Sequence, residues 1–182
     1  MREKSSFILC IQETKLSVIN EAVCKSIWND TYVDFSYYLS NGASGGLVTL
    51  WDSKEVEVWS SFHFEHVLGI QGRFVKTGVE FTLLNVYAMC DSNRQQVLWH
   101  NISNRLATLN DQNVCVCGDF NVVRCLEERR SVGSVVSQVG SAYFNRLIVD
   151  NCLVDLPLRG HRFTWYRGDG RSMSRIYRFL LS

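Results

Sequence analysis

The pattern of hydrophobic and polar positions predicts a central β-strand over residues 113–121. Four apolar, β-favouring residues precede a glycine, which is typical of a short strand covered on both faces. If the extended conformation continues through Phe120, then Asp119 and Asn121 point to one side while Phe120 turns into the core. An acceptor and a donor at a sheet edge are suited to holding a phosphate and a water. The alternative is a turn in which Asp119 and Asn121 only cap backbone groups.

The rest of the chain predicts alternating strands and helices. The run 6–12 repeats the design of the central strand, because it is apolar and is followed by a carboxylate, Glu13. Residues 34–87 predict an antiparallel meander of short strands with Gly-rich turns. The meander strands are predicted at 35–39, 46–51, 56–62, 66–75 and 79–87; the other predicted elements are helices over 17–29, 91–109 and 141–151 and strands over 162–166 and 174–181.

Together these elements predict one α/β (α+β) domain over residues 1–182. The expected architecture is a four-layer αββα sandwich, in which two mainly antiparallel sheets are flanked by helices. A chain of 182 residues with 46% hydrophobic residues is long enough for one such core. No apolar run approaches the roughly 20 residues that span a bilayer, so we expect an intracellular protein with no membrane partner.

Charge is distributed unevenly along the chain. Residues 1–120 carry 9 Lys and Arg against 13 Asp and Glu, whereas residues 121–182 carry 10 Arg against 5 Asp and Glu. Arginine suits bidentate contact with phosphate, although most of these side chains are expected to be solvated surface. His63 and His66 are expected at strand edges or on the surface rather than in a metal site, since no third ligand lies at useful spacing.

Six short stretches, in this order, carry a resemblance to a known superfamily. They are Ile11–Lys15, Gly45–Leu47, Asn85–Ala88, Gly118–Asn121, Phe163–Trp165 and Ser174–Ser182. In these stretches the chain resembles the endonuclease/exonuclease/phosphatase superfamily, which has the DNase I-like fold. More narrowly, it is similar to the endonuclease domain of plant non-LTR retrotransposons of the long interspersed element type.

The resemblance implies a Mg²⁺-dependent endonuclease, with Mn²⁺ as an alternative metal and no small-molecule cofactor. Glu13 matches the glutamate that binds the metal, and Tyr87 matches the tyrosine that contacts the scissile phosphate. Asp119 matches the aspartate that positions or deprotonates the attacking water, and Asn121 matches the asparagine that holds a phosphate oxygen. The implied reaction is the nicking of one DNA strand, with the nucleus as the place of action.

The chain also departs from the superfamily pattern. Tyr177 stands where the family has an aspartate that orients a histidine, and the family's first strand and its last strand, with an Asp-His pair, have no counterpart. The domain is therefore expected to be incomplete at both ends. A second hypothesis is a catalytically inactive remnant of a mobile element with at most weak nucleic-acid binding. A third is a phosphatase acting on a small phosphate ester.

Overall fold

The structure is a computed structural model that describes residues 6–16, 18–28, 32–39, 45–109, 113–131 and 138–182. The chain divides into two compact units, Met1–Tyr87 and Ala88–Ser182. No helix within the described ranges is both long and apolar enough to cross a membrane.

The described residues of the first unit form two antiparallel groups of strands and one helix. Its elements are β1 (Ile8–Gln12), α1 (Glu21–Trp28), β2 (Val33–Tyr38), β3 (Leu47–Asp52), β4 (Val56–Phe64), β5 (Val67–Phe74) and β6 (Glu80–Tyr87). Strand β3 lies between β1 and β2, and β5 lies between β4 and β6. Residues of α1, β2 and β3 form a buried apolar cluster that includes Cys24 and Leu50. Residue 17, the predicted start of α1, lies outside the described residues. The prediction of helix at 18–20 is wrong, because the Asn20 side chain accepts the Val23 N–H at 3.0 Å and caps a helix that begins at Glu21.

The described residues of the second unit form two α-helices and two groups of paired strands. Its elements are α2 (Ser92–Ala107), β7 (Val114–Asp119), a 3₁₀ turn (Leu126–Glu128), β8 (Arg129–Arg130), α3 (Gln138–Asp150), β9 (Val154–Asp155), β10 (Trp165–Tyr166), β11 (Met173–Ser174) and β12 (Tyr177–Leu181). Strand β12 pairs antiparallel with β7 on one side and with β9 on the other. Strand β11 pairs with both β10 and β8.

Aromatic rings form the centre of the second unit. Trp99 on α2, Phe144 on α3 and Phe120 after β7 pack with ring centroids 5.0 to 5.9 Å apart. Helix α2 begins where the sequence predicts, since the Asp91 side chain accepts the N–H of Arg94 at 2.9 Å as its N-cap. The prediction that Phe120 turns into the core is confirmed, because this side chain is fully buried.

Candidate functional site

Glu13 lies directly after β1 in a loop with a left-handed backbone. Its φ is 53°, a conformation that non-glycine residues adopt infrequently. The next two N–H groups, of Thr14 and Lys15, donate to the carbonyls of Gly46 at 3.2 Å and Gly45 at 3.4 Å. The Glu13 side chain is 43% exposed, and its Oε1 lies 3.3 Å from Lys15 Nζ. The loop backbone is therefore attached to the start of β3, while the carboxylate stays accessible.

Tyr87 ends β6 and is half-buried. Asn85, two residues earlier on the same face of the strand, is fully buried. Its Oδ1 accepts from Gln12 Nε2 at 2.6 Å, and its Nδ2 donates to the Val48 carbonyl at 3.0 Å. This amide joins β6 to β1 and β3, so the strand ends that carry Glu13 and Tyr87 are fastened together within the first unit. Sequence reasoning gave Asn85 no role, although a polar residue inside an apolar strand is the signal that identifies it.

Asp119 and Asn121 form a hydrogen-bonded turn at the end of β7. Asp119, 6% exposed, accepts the Asn121 N–H on Oδ1 at 2.9 Å. Asn121 has a φ of 49°, and its Nδ2 donates to the Ala88 carbonyl at 2.8 Å. The Ala88 N–H in turn donates to the Asp119 carbonyl at 2.8 Å. The predicted extension of the strand through Phe120 is wrong, because these local bonds stabilise the turn given as the alternative.

A second contact to this turn comes from Gln95 on α2. Its buried side chain donates to the Met89 carbonyl at 2.7 Å and to the Asn121 carbonyl at 3.4 Å. Gln95 shares a helical face with the buried residues Leu98 and Ile102. Sequence reasoning missed it, and the detectable signal is a polar residue at an apolar position of the helix.

Five charged side chains form a network beside the turn that is buried at Arg178 and Asp155 and partly exposed at Arg124. Arg178, which has a fully buried side chain, donates to Glu128 and, at 2.6 Å, to Asp155. Arg175 and Arg124 also pair with Asp155, at 2.9 and 3.1 Å. The Arg124 N–H donates to Glu128 at 2.7 Å, so the segment that follows Asn121 is joined to β9 and β12.

The network also sets the acidity of Glu128. Burial by itself would raise the pKa of this carboxyl, but hydrogen bonds from the Arg178 guanidinium and the Arg124 N–H outweigh it. The nearby charges of Arg178 and Arg175 act in the same direction, so the pKa of Glu128 lies below its ordinary value. Glu128 therefore stays ionised in the folded protein near neutral pH.

The donor set of the first unit fits a hard divalent cation. In proteins magnesium is bound through one or two carboxylates together with substrate phosphates and several waters, so an accessible carboxylate is the group that the protein side would supply. Glu13 offers such a group, and its ion pair with Lys15 is an exposed one of low strength. Among the described residues, no group of three or more His, Cys, Asp and Glu side chains could hold a metal ion. The exposed ring of His63 stacks on Tyr38 with centroids 4.6 Å apart.

The sheet of β10, β11 and β8 combines exposed aromatic and cationic side chains. Trp165 and Arg129 are the cross-strand partners of Ser174. Tyr166 and Arg130 are the cross-strand partners of Met173. Residues level with one another in an antiparallel sheet share a face, so each face carries one aromatic residue and one arginine. All four side chains are exposed.

Comparison with solved structures identifies the fold. The AP endonuclease LMAP from Leishmania major aligns with 96% of this chain and 69% of its own, with a TM-score of 0.72 and 17% identity. The endonuclease domain of TRAS1, a telomere-specific non-LTR retrotransposon, aligns with 97% of this chain and 73% of its own, with a TM-score of 0.69 and 14% identity. An endonuclease/exonuclease/phosphatase family protein from Bacteroides thetaiotaomicron aligns with 87% of this chain and 63% of its own, with a TM-score of 0.60 and 11% identity.

The chain has the DNase I-like fold. The predicted fold class and the superfamily resemblance are thereby confirmed at the level of architecture, which is all that identities this low support. No protein-family model matches the sequence, and no curated protein is significantly similar to it. The narrower similarity to plant retrotransposon endonucleases stays a prediction.

Proposed function

We propose that the chain is a Mg²⁺-dependent phosphodiesterase that nicks one strand of DNA. The observation that carries the proposal is the DNase I-like fold, shared over 96% and 97% of the chain with two proteins named as endonucleases. The residues that the resemblance selects support it, because they lie at the ends of strands or directly after them. Glu13 follows β1, Tyr87 ends β6 and Asp119 ends β7.

In this proposal each residue has one chemical role. Glu13 holds the metal ion, which when bound offsets the negative charge that develops on the phosphoryl group. Tyr87 donates a hydrogen bond to the scissile phosphate. Asp119 orients a water for in-line attack and accepts its proton. The water oxygen bonds to phosphorus and the bond to the leaving sugar oxygen breaks. The leaving oxygen takes a proton from solvent water, which leaves one phosphomonoester and one hydroxyl end.

The turn that contains Asn121 supports its role as a donor. A carboxamide carries two N–H donors, and the bond to the Ala88 carbonyl uses one of them. The second N–H binds a non-bridging phosphate oxygen in our proposal. Because Asp119 and Gln95 already fix the backbone of Asn121, little reorganisation is required when substrate binds.

DNA is the proposed partner because of the arginine and aromatic side chains on β8 and β10. Arg129 and Arg130 suit phosphate contacts, and Trp165 and Tyr166 offer faces on which bases stack. Each face of this sheet therefore offers one phosphate-binding and one base-stacking side chain, which favours a polymeric nucleic acid over a small phosphate ester. The proposed place of action is the nucleus.

The test is nicking of supercoiled plasmid in Mg²⁺ and in EDTA. We expect metal-dependent nicking that falls about a hundredfold or more in Glu13→Gln and in Asp119→Asn. Glu65→Gln is the matched control for Glu13, since Glu65 is also an exposed glutamate with a left-handed backbone. A folded sample that does not nick would reject the proposal and favour the inactive remnant. Hydrolysis of p-nitrophenyl phosphate without nicking would favour the phosphatase.

A further inference from the structure

We propose that Tyr177 is a further substrate-binding residue, whose phenolic hydroxyl donates a hydrogen bond to the phosphodiester that Asp119 serves. The inference rests on the proposed function and adds a residue that the superfamily resemblance does not supply, since the resemblance implies an aspartate at this position. All the contacts that carry it lie within the second unit.

The strand register places Tyr177 beside Asp119. Tyr177 begins β12 and is the direct partner of Asp119 on β7. Directly opposed residues of an antiparallel pair project from the same face, with Cβ atoms about 5 Å apart. A tyrosine side chain is longer than that of an aspartate, so from the same face its hydroxyl can reach a group that is bound to the Asp119 carboxylate.

The backbone at Tyr177 is fixed while its side chain remains accessible. The N–H groups of Ile176 and Tyr177 both donate to Thr164 Oγ1, at 2.9 and 3.0 Å. The Ile176 carbonyl accepts the Phe120 N–H at 3.0 Å, which joins this position to the turn after Asp119. Arg178, the next residue, is buried in the ionic network. The Tyr177 side chain is nevertheless 41% exposed, as recognition of a ligand from a rigid strand requires.

The chemistry of the phenol suits this position. A phenolic hydroxyl carries an O–H that can donate to an anionic oxygen. It therefore adds a donor beside Asp119 without adding negative charge. An aspartate at position 177, the residue that the superfamily resemblance implies, is an acceptor when ionised and could not donate this bond.

Three variants test the contact through activity. In the plasmid assay with Mg²⁺, Tyr177→Phe should lower the nicking rate about tenfold to a hundredfold, as loss of a hydrogen bond to a charged group does. Tyr177→Asp should lower it at least as far. Tyr143→Phe on α3 is the matched control, because Tyr143 is 42% exposed, and its rate should be unchanged. Equal rates for wild type and Tyr177→Phe, or a faster Tyr177→Asp, would overturn the proposal.

A binding measurement separates this inference from the proposed hydrolysis. Protein labelled with ¹³C at the tyrosine ζ carbon is titrated in EDTA with a short DNA duplex, and the Tyr177 signal is assigned from Tyr177→Phe. We expect a saturable shift of the Tyr177 signal and none for Tyr143. A shift without nicking by the wild type would reject the hydrolysis and keep the contact. Bound duplex with no Tyr177 shift would overturn the contact, and absence of binding would overturn both.

Discussion

The two candidate carboxylates, Glu13 in the first unit and Asp119 in the second, have contrasting surroundings. Glu13 is 43% exposed and pairs with an exposed lysine, whereas Asp119 is 6% exposed and is part of a hydrogen-bonded turn. The exposed group suits a metal ligand, because a cation can displace a weak ion pair and retain its own waters. The buried group suits a catalytic base, which acts best when its orientation is fixed before substrate arrives.

The difference extends to the support beneath each residue. Behind Asn121, a network of five charged side chains connects the 3₁₀ turn to β9 and β12. Beneath Glu13, the support is a neutral amide, Asn85, between the two sheets. The comparison therefore predicts that changes in the second unit cost more stability than equivalent changes in the first.

The largest expected effect is that of Arg178→Met. It leaves the buried carboxylates of Glu128 and Asp155 without their central partner, so we expect a loss of about 3–5 kcal/mol in the free energy of unfolding. Urea denaturation followed by circular dichroism measures it. Arg146→Met removes an exposed pair with Asp150 and should cost about 0.5 kcal/mol or less. Similar losses for both variants would contradict a special role for the buried network.

A smaller loss is expected for Asn85→Ala in the first unit. The substitution leaves the buried Val48 carbonyl without the amide donor of Asn85, which costs about 1–3 kcal/mol in the free energy of unfolding. The same denaturation experiment applies, with the exposed Asn93→Ala as the control. If Asn85→Ala costs more than Arg178→Met, the ranking of the two supports is wrong.

Lowering the pH should reveal how much Glu128 contributes to the free energy of unfolding. Because its pKa is lower in the folded protein, its pairing stabilises the fold above the ordinary pKa of a glutamate, about 4.3. That stability is lost as the pH falls from there through the lowered pKa of the folded state. Urea midpoints measured from about pH 3 to pH 7 should fall more steeply with acid in the wild type than in Glu128→Gln. Parallel profiles would show that Glu128 does not contribute.

The smallest expected effect is that of Lys15→Ala. The Glu13–Lys15 pair is exposed, so its loss should change the free energy of unfolding by about 0.5 kcal/mol or less. Thermal unfolding is the measurement, with Lys25→Ala as control because Lys25 forms a comparable exposed pair with Glu21. A loss above about 1 kcal/mol would mean that Glu13 is held more firmly than its exposure indicates.

Local sequence patterns predicted most of the elements because the signals that form them are local. Helix α2 follows from the Asp91 cap and an apolar stripe, and the strands of the predicted meander follow from short runs between Gly-rich turns. These strands pair in two groups, β2 with β3 and β4 with β5 and β6, and local patterns do not decide that division. The predicted strand over 162–166 is shorter in the structure, where β10 covers Trp165–Tyr166. The turn at Asn121 could not be predicted from the sequence, because Asp-x-Asn is compatible with both an extended strand and a turn. Hydrogen bonds of Asn121 with Ala88 and Gln95, which are distant in sequence, stabilise the turn.

The sequence alone determined the strands, the helices and the short motifs from which the DNase I-like fold and the residues Glu13, Tyr87, Asp119 and Asn121 were selected. Only the tertiary structure decided which charges are buried. The sequence predicts solvated side chains for most arginines after residue 120, yet the Arg178 side chain is fully buried and pairs with carboxylates up to 50 residues away. An arginine has the same local pattern in either role, and its environment depends on contacts that the chain makes only when folded.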